Sequence, residues 1–212
     1  MQQPRLAEQD RFLIRQRVRL VGNQYEIYLP GPDGRTEGDL VAFVQQKLAA
    51  LKEDIRFYGD TDKRQELFRL KARQAFDPTA RYKVTDPEGN PIGELAKDFK
   101  ASLAQSKWHL YMPGGASAWA RERSLPVALL RRAIGLVGLV PLLGALFDLL
   151  ANLIPIPYHF DFYIGERQIG SLERRYGLRD RYVLDLADDV EHAIDRRVAL
   201  ALAVSMDALQ AR

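Results

Sequence analysis

Residues 195–212 read DRRVALALAVSMDALQAR, and every residue from Val198 to Val204 is apolar. Met206, Ala208 and Leu209 extend the run, which only Ser205 and Asp207 interrupt and which contains no Pro or Gly. Ala and Leu favour helix, and Asp195 places a negative charge where a helix N-terminus is stabilised by one. A helix apolar around its whole circumference belongs in a protein core or in lipid. A bilayer span takes about 20 residues, more than this run supplies. Residues 190–211 are therefore expected to form a central helix buried inside the protein, and the rest of the chain has to supply the wall around it.

That wall is written as a recurring unit: an alternating strand, a turn rich in Asp or Gly, a return strand, and a basic residue at its end. Residues 82–97, YKVTDPEGNPIGELAK, and residues 159–174, HFDFYIGERQIGSLER, are the clearest copies. Their return strands share an apolar-Gly-polar-Leu pattern, Ile92-Gly93-Glu94-Leu95 and Ile169-Gly170-Ser171-Leu172. Weaker copies run from 25–28 through the turn 30–34 to 40–47, and from 55–58 through 59–63 to 67–71. Further strands are expected at 12–20, 108–111 and 182–186. Apolar residues at 40, 43, 44, 48 and 51 also suit a helix; aligned to the repeat, they read instead as a return strand at 41–44 and an outgoing one at 47–51. The predicted fold is mainly β: a closed antiparallel barrel of about twelve strands around the C-terminal helix, forming a single domain over 1–212.

The β pattern stops at Arg123 and resumes at Tyr158. Between them, residues 125–157 form an apolar insert, with nothing polar from Ala133 to Phe147. As one helix, 133–154 would be about 33 Å long, but Gly135, Gly138, Pro141 and Gly144 favour a bent helix or two short ones. If the strands on either side share one barrel, a single crossing would strand them on opposite sides of a membrane. Two crossings need about twice the residues present. Three fates stay open: shallow insertion into one leaflet, packing on the barrel itself, or a homodimer contact. The expected lipid-contact residues are Leu129, Leu130, Ile134, Leu136, Val137, Leu139, Leu142, Leu143, Leu146 and Phe147, with Arg131 and Arg132 at anionic headgroups.

Basic residues end the return strands, Lys71 and Arg73, Lys97 and Lys100, Arg174 and Arg175, and in a barrel equivalent ends can fall on one rim and form a patch for lipid phosphates. The plainer reading, and the one favoured from sequence, is that these charges blunt strand ends and keep a β-rich surface soluble.

Composition is that of a globular protein, with 47% hydrophobic and 28% charged residues. A formal charge of +3 with a pI near 9.1 suits an anionic membrane surface and falls short of a nucleic-acid binder. Cysteine is absent, which removes disulfides and thiol chemistry. The opening MQQPRLAEQDRF lacks the apolar core of a signal peptide. The expected location is cytoplasmic, or peripheral on the inner face of the membrane.

Signals for catalysis or metal binding are weak. The three histidines, His109, His159 and His192, are far apart in sequence. His159 and Asp161 share one face of a strand, a pattern more often polar alternation than a metal edge. Asp86, Glu88 and Asn90 resemble calcium-loop oxygens, but Gly89 falls at the fourth position and no Glu closes the loop, so this stretch reads as a hairpin turn, as does Asp60–Asp62. Ser102, Ser106 and Ser117 have no base at a readable spacing. No enzyme activity, metal or cofactor is expected.

The segments FRLKAR, RYKVTDPEGNPIGELAKDF, SKWHL, YHFDFYIGERQIG and RYVLDLA together resemble the LURP-one-related proteins. With the terminal apolar helix, the likeness extends to the wider superfamily of tubby C-terminal domains and phospholipid scramblases, over residues 12–209 without the insert. The resemblance implies a twelve-stranded barrel threaded by a central helix and a role at membranes. No tubby phosphoinositide pocket and no complete scramblase calcium segment can be matched here, so no binding residue is carried over. The function expected is a non-enzymatic, membrane-associated phospholipid-binding module; the alternative is a soluble interaction scaffold whose insert is a dimer or partner interface.

Overall fold

A computed structural model of the chain describes residues 6–17, 24–45, 54–72, 81–98, 105–123, 159–175 and 181–210, with side chains as far as Met206 in the last stretch. The strands are β1 (Arg11–Arg17), β2 (Gln24–Pro30), β3 (Glu37–Gln45), β4 (Asp54–Tyr58), β5 (Glu66–Ala72), β6 (Arg81–Thr85), β7 (Pro91–Lys97), β8 (Lys107–Tyr111), β9 (Ser117–Glu122), β10 (His159–Ile164), β11 (Arg167–Arg175) and β12 (Arg181–Asp185). Each pairs antiparallel with its neighbours in sequence, and β1 pairs with β12 from Arg11↔Asp185 to Arg15↔Arg181, closing a barrel of twelve strands. Closure leaves no open sheet edge in the barrel wall.

Alternation decides what faces inward. Phe12 and Ile14, Tyr25 and Ile27, Leu70 and Val84, Leu95 and Leu110, Phe160 and Leu172 are all buried and lie on the inner wall. Phe57 and Phe68 sit opposite each other across β4 and β5, with ring centroids 4.1 Å apart. The inner wall closes on the helix α1 (Arg196–Gln210), whose residues from Val198 to Met206 are all buried. The expected central helix is there, but it starts at Arg196. Residues 190–195 instead turn beneath the barrel. Asp195 caps α1, its carboxylate accepting the backbone N–H of Arg197 at 2.8 Å.

A buried ion pair fixes that turn. The guanidinium of Arg196, 1% exposed, donates to the Asp189 carboxylate at 2.5 Å, to the Ile194 carbonyl at 3.0 Å, and to Asp10 at the foot of β1. Asp189 also accepts the backbone N–H groups of Ala193 and Ile194, each at 3.0 Å.

The two glycines of the repeated apolar-Gly-polar-Leu pattern have a common cause: neither site has room for a Cβ. At Gly93 a Cβ would lie 2.5 Å from a Val198 methyl of α1 and 3.1 Å from the Tyr111 carbonyl oxygen. At Gly170 it would run into the Asp185 carbonyl oxygen and lie 2.7 Å from Leu186 Cδ2.

The strand at 41–44 lies within β3, whereas 47–51 falls outside the described residues. One strand, β9 (SAWARE), carries no apolar alternation that marks it in the sequence. Its inward residues are Ala118, Ala120 and Glu122; the alanines have low strand propensity, yet all three are buried.

Hairpin turns at this same end of the barrel, where α1 begins, satisfy their own carboxylates. Asp86 takes the Asn90 backbone N–H at 2.7 Å and its side-chain amide at 2.9 Å, the turn expected there. Asp33 accepts the N–H of Thr36 at 2.8 Å, the N–H of Arg35 at 2.9 Å and the Thr36 hydroxyl at 2.7 Å. These bonds, the Thr36 N–H first, hold its carboxyl at about 2, below the ordinary 3.8. The ionised form is thus favoured by folding, so its contribution is complete above the ordinary value and is lost as pH falls through about 2. In an NMR titration, Thr36→Val is expected to move the Asp33 midpoint upward. An unchanged midpoint would mean that the hydroxyl bond does not hold the carboxyl down.

Candidate functional site: a basic barrel rim

In a closed antiparallel barrel, odd-numbered strands all end at one rim and even-numbered strands all begin there. Lys71 near the end of β5, Lys97 at the end of β7, and Arg174 and Arg175 at the end of β11 therefore share one rim. Arg73 and Lys100 lie outside the described residues, as does the whole insert with its expected contact residues from Leu129 to Phe147.

Register divides the rim residues between two faces. Lys97 pairs with buried Trp108 and Arg174 with buried Tyr182, so both lie on the inner face at the mouth of the barrel. Lys71 pairs with Asp54 and Lys83, and Arg175 with Arg181, on the outer face.

The same rim carries cations the sequence reading did not single out: Arg17, Arg81, Lys107, Arg121, Arg123 and Arg181. Arg121 and Arg123 follow the rule of a basic residue at the end of a return strand, but were hidden with β9. Some of these charges are neutralised, Arg17 by Glu26 at 3.0 Å and Arg81 by Glu94 at 2.6 Å. Among the described residues, Lys71, Arg121 and Arg175 make no ion pair. The opposite rim has the reverse sign: Asp33, Asp60, Asp62, Asp86, Glu88, Glu166, Asp188 and Glu191 in its turns, against Arg35, Lys63 and Arg64 there and Arg11 and Arg167 at the strand starts. The barrel is electrically polar along its axis.

Arg123 is the best-anchored residue of the basic rim. Its guanidinium grips Asp161 at 2.7 and 3.0 Å and Glu173 at 2.9 Å. These bonds, that to Asp161 first, raise the Arg123 pKa, and the same guanidinium lowers that of Glu173. Burial, and then the nearby Arg123 charge, push the His159 imidazole below its ordinary value. Asp161 thus serves Arg123 rather than joining His159 in a metal edge. The backbone N–H of Arg123 donates to the His159 carbonyl at 2.8 Å. Arg123 and His159 are the last and first described residues on either side of segment 124–158, so its two attachment points touch each other on the basic rim.

The other candidates are scattered. His192 lies at the acidic end beside Asp10, and His109 faces Asp98 at 3.7 Å. Ser106 is buried with its N–H directed to Glu122, Ser117 is exposed at the opposite end, and Ser102 lies outside the described residues. What the rim offers chemically is a set of arginine forks and lysine charges, donors suited to phosphate oxygens.

A comparison with curated protein sequences finds no match. The profile of one family, described as LURP-one-related, matches residues 40–207, from within β3 to within α1. The match spans most of the barrel and its central helix, and the architecture expected from the sequence resemblance is the one observed. The chain belongs to the LURP-one-related family, within the superfamily of tubby-like C-terminal domains.

Proposed function

We propose that this protein is a phospholipid-binding module that docks on anionic membrane surfaces by its basic rim. One observation carries the reading: the apolar segment 124–158 is attached, at both ends, to the rim where the strand-ending cations collect. An apolar segment and a ring of positive charge on the same end are the two signals that together hold a protein on a bilayer. Each basic residue near an anionic surface contributes about 1 kcal/mol, and burial of the segment's Leu and Ile side chains adds about 0.8 kcal/mol per CH₂. The acidic opposite rim orients the approach, since it is repelled by the surface that attracts its counterpart. No helix among the described residues is long and apolar enough to cross a membrane.

The test is vesicle co-flotation of the intact protein and of a variant with residues 126–155 replaced by a short Gly-Ser linker. The 2.8 Å bond between Arg123 and His159 means that a short linker bridges the gap without opening the barrel. The intact protein is expected to float with phosphatidylserine-containing vesicles, less so with neutral ones, and to lose much of the difference at high salt. The linker variant is expected to stay at the bottom of the gradient. If neither floats and the intact protein alone shows a concentration-dependent mass, the segment is a dimer interface and the lipid reading falls.

A further inference from the structure

Trp119 and Arg121 are outward residues of β9, because Ala118 and Ala120 between and beside them are buried on the inner wall. Trp119 stands opposite His109 of β8 and Tyr163 of β10. Its ring stacks on Tyr163 with centroids 4.2 Å apart and planes 11° from parallel. Its ring N–H donates to the Gly165 carbonyl at 3.0 Å, which fixes the indole against the wall. Beside it, the rings of His109 and Tyr111 are also near parallel, 6.1 Å apart, and Tyr111 is 40% exposed. Two cations border this aromatic strip on the side of the basic rim. Lys107 Nζ lies 4.8 Å from the Trp119 ring centre, and the Arg121 guanidinium carbon lies 5.4 Å from Trp119 and 5.9 Å from Tyr163.

An outer barrel wall gains little from a half-exposed tryptophan placed there, since the core is already filled from inside. Aromatic rings with a polar tip, flanked by Lys or Arg, are the composition found at the headgroup level of bilayers. The strip lies on β9 and β10, the two strands between which segment 124–158 leaves and returns. A barrel held to a surface at that point of its rim is held off-centre, and the wall directly below the attachment leans toward the surface.

We infer that the outer wall of β8, β9 and β10, centred on the Trp119–Tyr163 stack with Lys107 and Arg121, is a second membrane contact that lies in the headgroup zone of an anionic phospholipid bilayer. The inference rests on the rim reading above and adds to it a tilt: the barrel axis is inclined, with this wall toward the lipid. Charge complementarity selects the occupant. The cations bordering the strip on its rim side match the phosphates, and the indole and phenol rings, each with a polar tip, match the headgroup zone along the inclined wall.

The chain has two tryptophans, and only Trp119 faces outward; Trp108 is 1% exposed on the inner wall. Trp108→Phe therefore leaves Trp119 as the sole reporter. With vesicles of phosphatidylserine and phosphatidylcholine, its emission is expected to shift to the blue and its quenching by acrylamide to fall, while phospholipid carrying a headgroup nitroxide quenches it. Trp119→Ala with Tyr163→Ala is expected to weaken vesicle binding severalfold with the circular dichroism spectrum unchanged. If Trp108→Phe does not fold, the difference in emission between the wild-type protein and Trp119→Phe reports the same quantity. Flotation of the protein with Trp119 still fully open to acrylamide overturns the tilted contact and leaves the rim reading intact. Absence of flotation by the intact protein overturns both.

Discussion

Replacing Asp189 by alanine is expected to destabilise the fold by about 3–5 kcal/mol, the range for stranding one charge of a buried pair. Arg196 is 1% exposed and Asp189 completely buried, so water does not reach the cation left behind. The two backbone N–H groups of Ala193 and Ile194 lose their acceptor in the same step. Against a typical total of about 5–15 kcal/mol for a domain, this loss leaves a marginal protein, read as a large fall in the urea midpoint. Asp10 binds the same guanidinium but is 41% exposed, so Asp10→Ala is expected to cost much less. Removing both charges in Asp189→Ala/Arg196→Met is expected to recover part of the loss, because no buried cation then lacks a partner. Equal midpoints for the Asp189 and Asp10 variants would show that the turn beneath the barrel does not depend on the buried carboxylate.

The second large effect is expected at Gly170. Overpacking a core costs about 1–3 kcal/mol, and which end of that range applies depends on what has to move. At Gly170 the obstacles are the Asp185 carbonyl oxygen and Leu186, whose Cα lies 3.1 Å away, so backbone has to shift. Gly170→Ala is therefore expected at about 3 kcal/mol. At Gly93 the nearest atom is a Val198 methyl, which can leave by rotation about χ1. A valine in a helix resists that rotation, which puts Gly93→Ala nearer about 1–2 kcal/mol. Thermal unfolding followed by circular dichroism should rank wild type, then Gly93→Ala, then Gly170→Ala. The reverse order would mean that α1 is held more rigidly than the β11–β12 junction.

Much of this architecture is legible in the sequence where a local pattern determines it. The apolar run from Val198 to Val204 says that something must surround it, and the alternations at 82–97 and 159–174 say what. The paired glycines were visible as a repeat, although only the wall they occupy explains them. β9 was hidden because its inner residues, Ala118 and Ala120, are small and weakly strand-forming. With it went Arg121, Arg123 and the Trp119–Tyr163 stack. The cationic strand ends at Lys71, Lys97, Arg174 and Arg175 were readable, but their division between mouth and outer wall depends on register, which no single strand reveals. Arg123 with Asp161 and Arg196 with Asp10 join residues 38 and 186 positions apart, pairings that only the closed barrel creates.

The helix at the centre of the barrel is made after every strand that surrounds it. While the strands emerge, the apolar inner faces of residues such as Leu70, Leu95 and Phe160 have no helix to close on, and the β1–β12 seam joins the first and last of the described strands. Folding is therefore dominated by contacts of long sequence separation, the kind that form slowly and leave sticky intermediates exposed. A chain stalled or cut before Arg196 keeps all twelve strands and lacks only their common contact. For this barrel, loss of an element made after all twelve strands amounts to loss of the first requirement for assembly.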